Sequence, residues 1–245
     1  MNKPSLIIYG CGSIAKSLFR YLQRTYTIEC FTVDRVYLEQ LEGDDFLYSE
    51  EQQQWQFEKT ALAWHKNIPI FPFESISSEF PPSKSRLIVT VGYVQMNHIR
   101  EQRIELAKEM GYELINYVHP SVVLDESIKL GENIIILEYA TIHPYSSVGT
   151  GCFISSNVNV GDRCEIGGNC WINAGVGIAG GTKVGDNCFF GVNATLGNNI
   201  CIGSSVFIGA NTFVGHDTND GEVYISPQAE KIRMNSKAFM VFSKL

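Results

Sequence analysis

The chain has 245 residues, 44% hydrophobic and 18% charged, with 22 Gly and 8 Pro. That is globular usage, neither collagen-like nor disordered, and a chain of this length buries roughly 70% of its unfolded surface in one large or two modest domains. Nineteen Lys and Arg against 26 Asp and Glu give a net charge of −7, leaving no basic footprint for nucleic acid. The lack of a basic leader or a bilayer-length apolar run predicts a cytoplasmic protein without membrane insertion.

Ser5 to Gly10 reads as a buried strand, followed by the turn Gly10-Cys11-Gly12-Ser13 and a helical pattern in Ile14, Leu18, Phe19 and Leu22. Ile28 to Val33 reads as a second strand closing on Asp34. Gly-x-Gly at a strand-to-helix turn lets backbone and a helix N-terminus approach phosphate, and the acidic residue after the second strand is placed to meet ribose or base. The third glycine of that fingerprint is Ala15, and a plain glycine turn explains Gly10 and Gly12 equally simply. Glu39 to Trp55 is acidic, Gln-rich and poorly periodic, and reads as surface loop or a short solvated helix. Pro81-Pro82-Ser83 marks a turn. Arg86 to Val91 reads as a strand ending at Gly92, Asn97 to Met110 as a helix capped by Gly111, and Tyr112 to Tyr117 as a further strand. Such a β-α-β-α-β unit is half a dinucleotide fold, enough for a mononucleotide and short for NAD.

Every sixth residue from Val118 to Val214 is aliphatic or Phe. Two positions before these lies a set of mostly small residues, among them Ser146, Cys152, Cys164, Cys170, Thr182 and Cys188, which reads as an inward position too narrow for a large side chain. Gly131, Gly149, Gly167, Gly185 and Gly203 follow the large residues at intervals of eighteen and read as turn formers, so three hexads make one triangular coil. This is the pattern of the hexapeptide-repeat proteins, whose parallel strands wind as a left-handed β-helix, and the resemblance covers about residues 118 to 220. Stacked coils bury one continuous core at a strand spacing of about 4.8 Å and let small residues form ladders. The seven cysteines, odd in number and without Cys-x-x-Cys, are therefore read as reduced thiols, four of them structural, with no zinc site.

Together, an α/β N-terminal Rossmann-like domain (1–117), a left-handed parallel β-helix (118–220) and a tail (221–245) resemble the sugar acyltransferases of the sialic acid O-acetyltransferase and bacillosamine-pathway N-acetyltransferase type. The resemblance implies a homotrimer that moves an acyl group, acetyl or bulkier, from a coenzyme A thioester to an amine or hydroxyl of a sugar, usually nucleotide-linked. By the same resemblance Gly10, Cys11, Gly12, Ser13, Asp34, Arg35 and Gly92 line the nucleotide-sugar site. The coenzyme lies along the turns between two subunits near Gly180, Gly197 and Asn198, read as one turn position in successive coils.

The family's general base is a His in a short stretch before a Cys or Ser. The matching stretch here is Val160-Gly161-Asp162-Arg163-Cys164, with Asp162 at the His position. Asp near its reference pKa of about 3.9 is a poor base. Register puts His143 one coil below Asp162 on the same edge, so two readings stand: His143 is the base, oriented by Asp162, or the enzyme uses no side-chain base. The second has chemical sense, because a sugar amine with a pKa of about 7.7 to 8, by analogy with an α-amino group, is partly free base at neutral pH, whereas an alcohol is not. The acceptor is thus expected to be a nucleotide-linked amino sugar, with O-acetylation and a non-catalytic sugar-nucleotide binder as alternatives. An NAD enzyme leaves the coils idle, and His119, His143 and His216 are not expected to meet at one metal. The tail, with Lys231, Arg233, Lys237 and Lys244, is expected to cover the end of the coils or to touch the coenzyme's phosphates.

Overall fold

The computed structural model describes residues 3–42 and 68–243. Of the acidic stretch read as loop, the first residues end helix α2 (Arg35–Glu42); the remainder, with His65, lies outside the described residues. The N-terminal half is a four-stranded parallel sheet built from β1 (Ser5–Tyr9), β2 (Thr27–Val33), β3 (Ile70–Pro72) and β4 (Ser85–Val89), in the order β3-β2-β1-β4. Helix α1 (Ser13–Thr25) links β1 to β2. A short helix α3 (Ile76–Glu79) follows β3, and α4 (His98–Glu109) follows β4. One expected strand is corrected. Residues 112–117 add only a bridge between Leu87 and Leu114, because the chain is already leaving the sheet for the first coil, where Tyr117 N donates to Ile134 O. The fourth strand is instead Ile70–Pro72, hidden in the sequence by its brevity and its flanking prolines.

The C-terminal half is a three-walled stack of two-residue parallel strands in eighteen-residue register, a left-handed β-helix-like coil. Wall one holds Tyr117–Val118, Ile135–Ile136, Phe153–Ile154, Trp171–Ile172, Phe189–Phe190, Phe207–Ile208 and Val223–Tyr224. Wall two runs from Thr141–Ile142 to Phe213–Val214, and wall three from Lys129–Leu130 to Cys201–Ile202. The second residue of each strand points inward, and Ile136, Ile154, Val160, Ile172, Leu196 and Ile208 are fully buried in one core.

The small-residue ladder has a polar reason. Ser146, Cys152, Cys164, Cys170, Thr182 and Cys188 each donate a hydroxyl or thiol hydrogen bond to a backbone carbonyl fifteen residues on, at 2.7–3.3 Å. Each is therefore small enough for the interior and satisfies a corner carbonyl of the next coil. Cys11 and Cys30 are buried in the α/β half, and burial pushes both thiols up to about 12. Only Cys201 is exposed. A maleimide is thus expected to label one thiol per native chain, Cys201, and seven after denaturation. Fast labelling of two or more native thiols, read by peptide mass spectrometry, would contradict the ladder.

The glycines that recur at eighteen are not the left-handed residues of the turns. Left-handed backbone occurs at every sixth residue from Asn133 to Asn211, three residues after each large one, and not at Gly131, Gly149, Gly167, Gly185 or Gly203. Those glycines serve close approach: a Cβ on Gly149 would sit 2.6 Å from Gly167 C, and one on Gly167 would sit 2.6 Å from Gly185 C. The coil also continues past residue 220. Val223–Tyr224 pairs with Phe207–Ile208, and Ser226 N donates to Thr212 Oγ1 at 3.0 Å. From residue 227 to 242 the side chains are exposed, including those of helix α5 (Ser236–Ser243) up to Phe242, so only the few residues before 227 pack on the last coil.

The two halves share a core. Leu6, Ile8, Phe31 and Ile88 of the sheet, with Ala15, Leu18 and Leu22 of α1, pack against Ile135, Phe153 and Trp171, the outward residues of wall one. Trp171 stacks on Phe153 with centroids 4.0 Å apart and rings 11° from parallel.

Candidate functional site

Strand order turns at β1: its connection through α1 runs to β2 on one side, while β4 lies on the other. In open parallel sheets the carboxyl ends of the strands at such a switch point are where ligands bind. Gly10 there has φ +105, and a Cβ would lie 2.7 Å from Thr90 Oγ1, whose hydroxyl donates to Tyr9 O at 2.7 Å. Gly12 precedes α1 with no side-chain cap, so the first-turn amides are left open to an anion, and Ser13 is exposed beside them. The Cys11 side chain faces the core, so what this residue offers a ligand is backbone.

Asp34 follows β2 with both carboxylate oxygens engaged. Oδ1 accepts from the Tyr9 hydroxyl at 2.6 Å, and Oδ2 from Arg103 Nε at 3.0 Å and Nη2 at 2.5 Å. Burial first, then the bond to Asp34, push the Tyr9 phenol far above its ordinary value, so it stays a donor. Tyr9 and Arg103 were not anticipated from sequence. Arg103 comes from α4, so a ligand reaching Asp34 meets a guanidinium on the same carboxylate. Arg35 has an exposed side chain, and its backbone N donates to both Glu74 oxygens at 3.0 Å. Gly92 O accepts from Arg100 Nη1 at 3.2 Å. Gly10, Gly12, Ser13, Asp34 and Gly92 therefore do gather at one edge of the sheet.

The second set lies elsewhere. His143, Asp162, Gly180, Gly197 and Asn198 sit at the corner between walls two and three, which is the corner across the prism from wall one and its α/β partner. Within one chain the two sets do not meet. Eighteen-residue register puts Pro144, Asp162, Gly180, Asn198 and His216 in one column, and His143, Gly161, Ala179, Gly197 and Gly215 in the neighbouring one. Gly197 is thus one column away from Gly180 and Asn198 rather than above them. The lane is narrow: a Cβ on Gly161 would lie 2.5 Å from Gly180 N, and one on Gly180 2.5 Å from Asp162 Oδ1.

The expected partnership of His143 with Asp162 is not made. Asp162 Oδ2 pairs with Arg163 Nη2 at 2.6 Å, and the ring of the exposed His143 has no hydrogen bond among the described residues. The adjacent Arg163, in a left-handed turn, captures the carboxylate locally. His119 lies at a different corner, its Nδ1 2.8 Å from Ser121 Oγ, and His216 contacts the Tyr224 ring at 5.8 Å. Among the described residues no group of three or more His, Cys, Asp or Glu could hold a metal ion, and no helix is long and apolar enough to cross a membrane.

The family model for the bacterial transferase hexapeptide (six repeats) matches residues 163–198 and 181–216. No curated protein matches the chain. Among solved structures, PerB from Caulobacter crescentus in complex with CoA and GDP-perosamine is 22% identical with a TM-score of 0.69, over 90% of this chain and 93% of that one. The acetyltransferase domain of PglB from Neisseria gonorrhoeae is 20% identical with a TM-score of 0.69, over 90% and 96%. WeeI from Acinetobacter baumannii is 16% identical with a TM-score of 0.52, over 90% and 96%. Residues 163–216 thus carry bacterial transferase hexapeptide repeats, and the chain as a whole has the fold of these structures.

Proposed function

We propose that this protein is an acyl-CoA-dependent N-acyltransferase whose acceptor is a nucleotide-linked amino sugar. The observation that carries the reading is the whole-chain likeness, both halves together, to a structure that holds CoA and GDP-perosamine. The α/β half is read as a Rossmann-like nucleotide-sugar domain, with the diphosphate at the open N-terminus of α1 and the nucleoside toward Asp34 and Arg103. The thioester donor is placed along the lane of Gly180, Gly197 and Asn198. Because that lane lies across the prism from the α/β half, a complete site needs the α/β half of one subunit beside the lane of another. An assembly of copies supplies this, and the homotrimer is the one that the family resemblance implies.

The amine nitrogen attacks the thioester carbonyl, and the coenzyme's sulfur leaves. With Asp162 paired to Arg163, no His143–Asp162 dyad forms, and the acceptor amine attacks as its own free base. The proton released from the amine passes to the departing thiolate or to solvent. Rates are therefore expected to rise with pH through the amine's pKa of about 7.7 to 8 and then level. His143→Ala is expected to keep kcat/KM within about threefold across pH 6 to 9, because loss of a true general base costs about 10² or more. A loss above tenfold would make His143 the base and sink the free-amine mechanism. Melting-temperature shifts separate the ligand classes: upward with CoA and with nucleotide amino sugars, absent with NAD.

A further inference from the structure

Arg100 is 1% exposed, lies on the buried stripe of α4 with Ile104 and Ala107, and has no carboxylate partner among the described residues. Each nitrogen donates to backbone carbonyls instead: Nε to Gly151 O at 2.8 Å, Nη2 to Asn169 O at 2.6 Å, and Nη1 to Gly92 O at 3.2 Å and Val91 O at 3.4 Å. Its guanidinium also lies 5.2 Å from the Trp171 ring. An apolar residue of the same volume would fill this space without the cost of burying a cation, so stability alone does not explain the choice. The distinctive feature is what the bonds join. Val91 and Gly92 belong to the segment leaving the carboxyl end of β4, while Gly151 and Asn169 are corner residues of two successive coils.

The same corner holds that segment at other points. Asn133 clips Val89, its Oδ1 accepting from Val89 N at 2.7 Å and its Nδ2 donating to Val89 O at 3.0 Å. Asn97 Nδ2 donates to Asn187 O and Cys188 O, each at 3.2 Å. Successive coils thus contribute Asn133, Gly151, Asn169 and Asn187, one column of left-handed corner residues, to hold residues 89–100. Between these ties Gln95, Met96 and Asn97 all have positive φ, backbone that persists only where the surroundings over-determine it. Tyr93, 51% exposed, stands at the edge of this segment with its ring against Trp171 and Phe189, at 5.3 and 5.0 Å.

We propose that Arg100 is a positioning residue for the acceptor: by tying the Val91–Gly92 carbonyls to two coils it sets the shape of the segment after β4, and with it the affinity for the nucleotide-linked sugar. This rests on the functional reading above. Lysine keeps the charge but cannot bond three separate segments from one rigid fork. Arg100→Lys and Asn97→Ala are therefore each expected to raise the acceptor KM about tenfold, with acyl-CoA KM within twofold and kcat within threefold. Acceptor binding measured by calorimetry without donor should weaken by the same factor. A merely structural role would lower the folded fraction and the apparent kcat while leaving both KM values alone. Should Arg100→Lys fail to fold, Asn97→Ala still decides. An acceptor KM within twofold of wild type in both folded variants overturns the proposal. A wild type that binds and acylates no nucleotide-linked amino sugar overturns the functional reading instead, and this proposal with it.

Discussion

Gly167→Val is expected to destabilise the coil by about 3 kcal/mol or more, the upper end of overpacking costs, because the clash is with backbone that cannot rotate away. Its Cβ would lie 2.6 Å from Gly185 C and 2.7 Å from Gly185 O one coil above, and opening that corner would strip the carbonyl ladder on both sides. For a chain of this size, roughly 2–4 °C of Tm per kcal/mol gives a fall of about 6–12 °C. Gly177→Ala is the control within the same stack. Its Cβ would have the Thr195 methyl at 3.9 Å as its nearest neighbour, so Tm is expected to hold or rise slightly. Equal losses for the two substitutions in a calorimetric scan would mean that the corner glycines are not there for close approach.

Trp171→Ala should cost about 3–5 kcal/mol, as large-to-small changes at buried aromatic sites do. The ring is 5% exposed and simultaneously stacks on Phe153, lies under Arg100 and receives the Tyr93 edge. Because it sits where wall one meets the α/β sheet, the loss is expected to fall on the docking of the halves as much as on the coil itself. Limited proteolysis is the readout: cleavage should appear between the sheet and the first coils while residues 130–214 stay protected. A variant that melts and digests like wild type would mean that wall one does not share the sheet's core.

The coil was legible because its large residues recur every six positions without insertion, and Ile136, Ile154, Ile172 and Ile208 are buried as that period requires. The small-residue column was legible as a size constraint, but its hydrogen bonds were not, since the acceptors are corner carbonyls whose place depends on the coil above. The left-handed turn residues were not legible because glycine signals both positive φ and close approach, and the positive-φ column also contains Asn, Tyr, Arg and Ser. One signal was present and unused. Ile135, Phe153, Trp171, Phe189 and Phe207 recur at eighteen in an outward position, which a solenoid keeps apolar only where something covers it. Arg100 on an otherwise apolar helical stripe was a second. What spacing alone does not carry is which corner faces which neighbour. The Gly10 to Ser13 turn, Asp34 and Gly92 lie toward the carboxyl ends of β1, β2 and β4, whereas His143 and Asp162 share a corner without a hydrogen bond or ion pair between them, the carboxylate pairing with Arg163 instead.

The most direct test mixes the purified protein with acetyl-CoA and matched GDP-, UDP- and dTDP-linked sugars that differ only in bearing an amine or a hydroxyl at one carbon, with products read by mass spectrometry. An N-acetylated nucleotide sugar formed in step with free CoA, and no product from the hydroxyl counterparts, is the predicted result. Faster acetylation of the hydroxyl sugars, or intact acetyl-CoA with every acceptor, would contradict it.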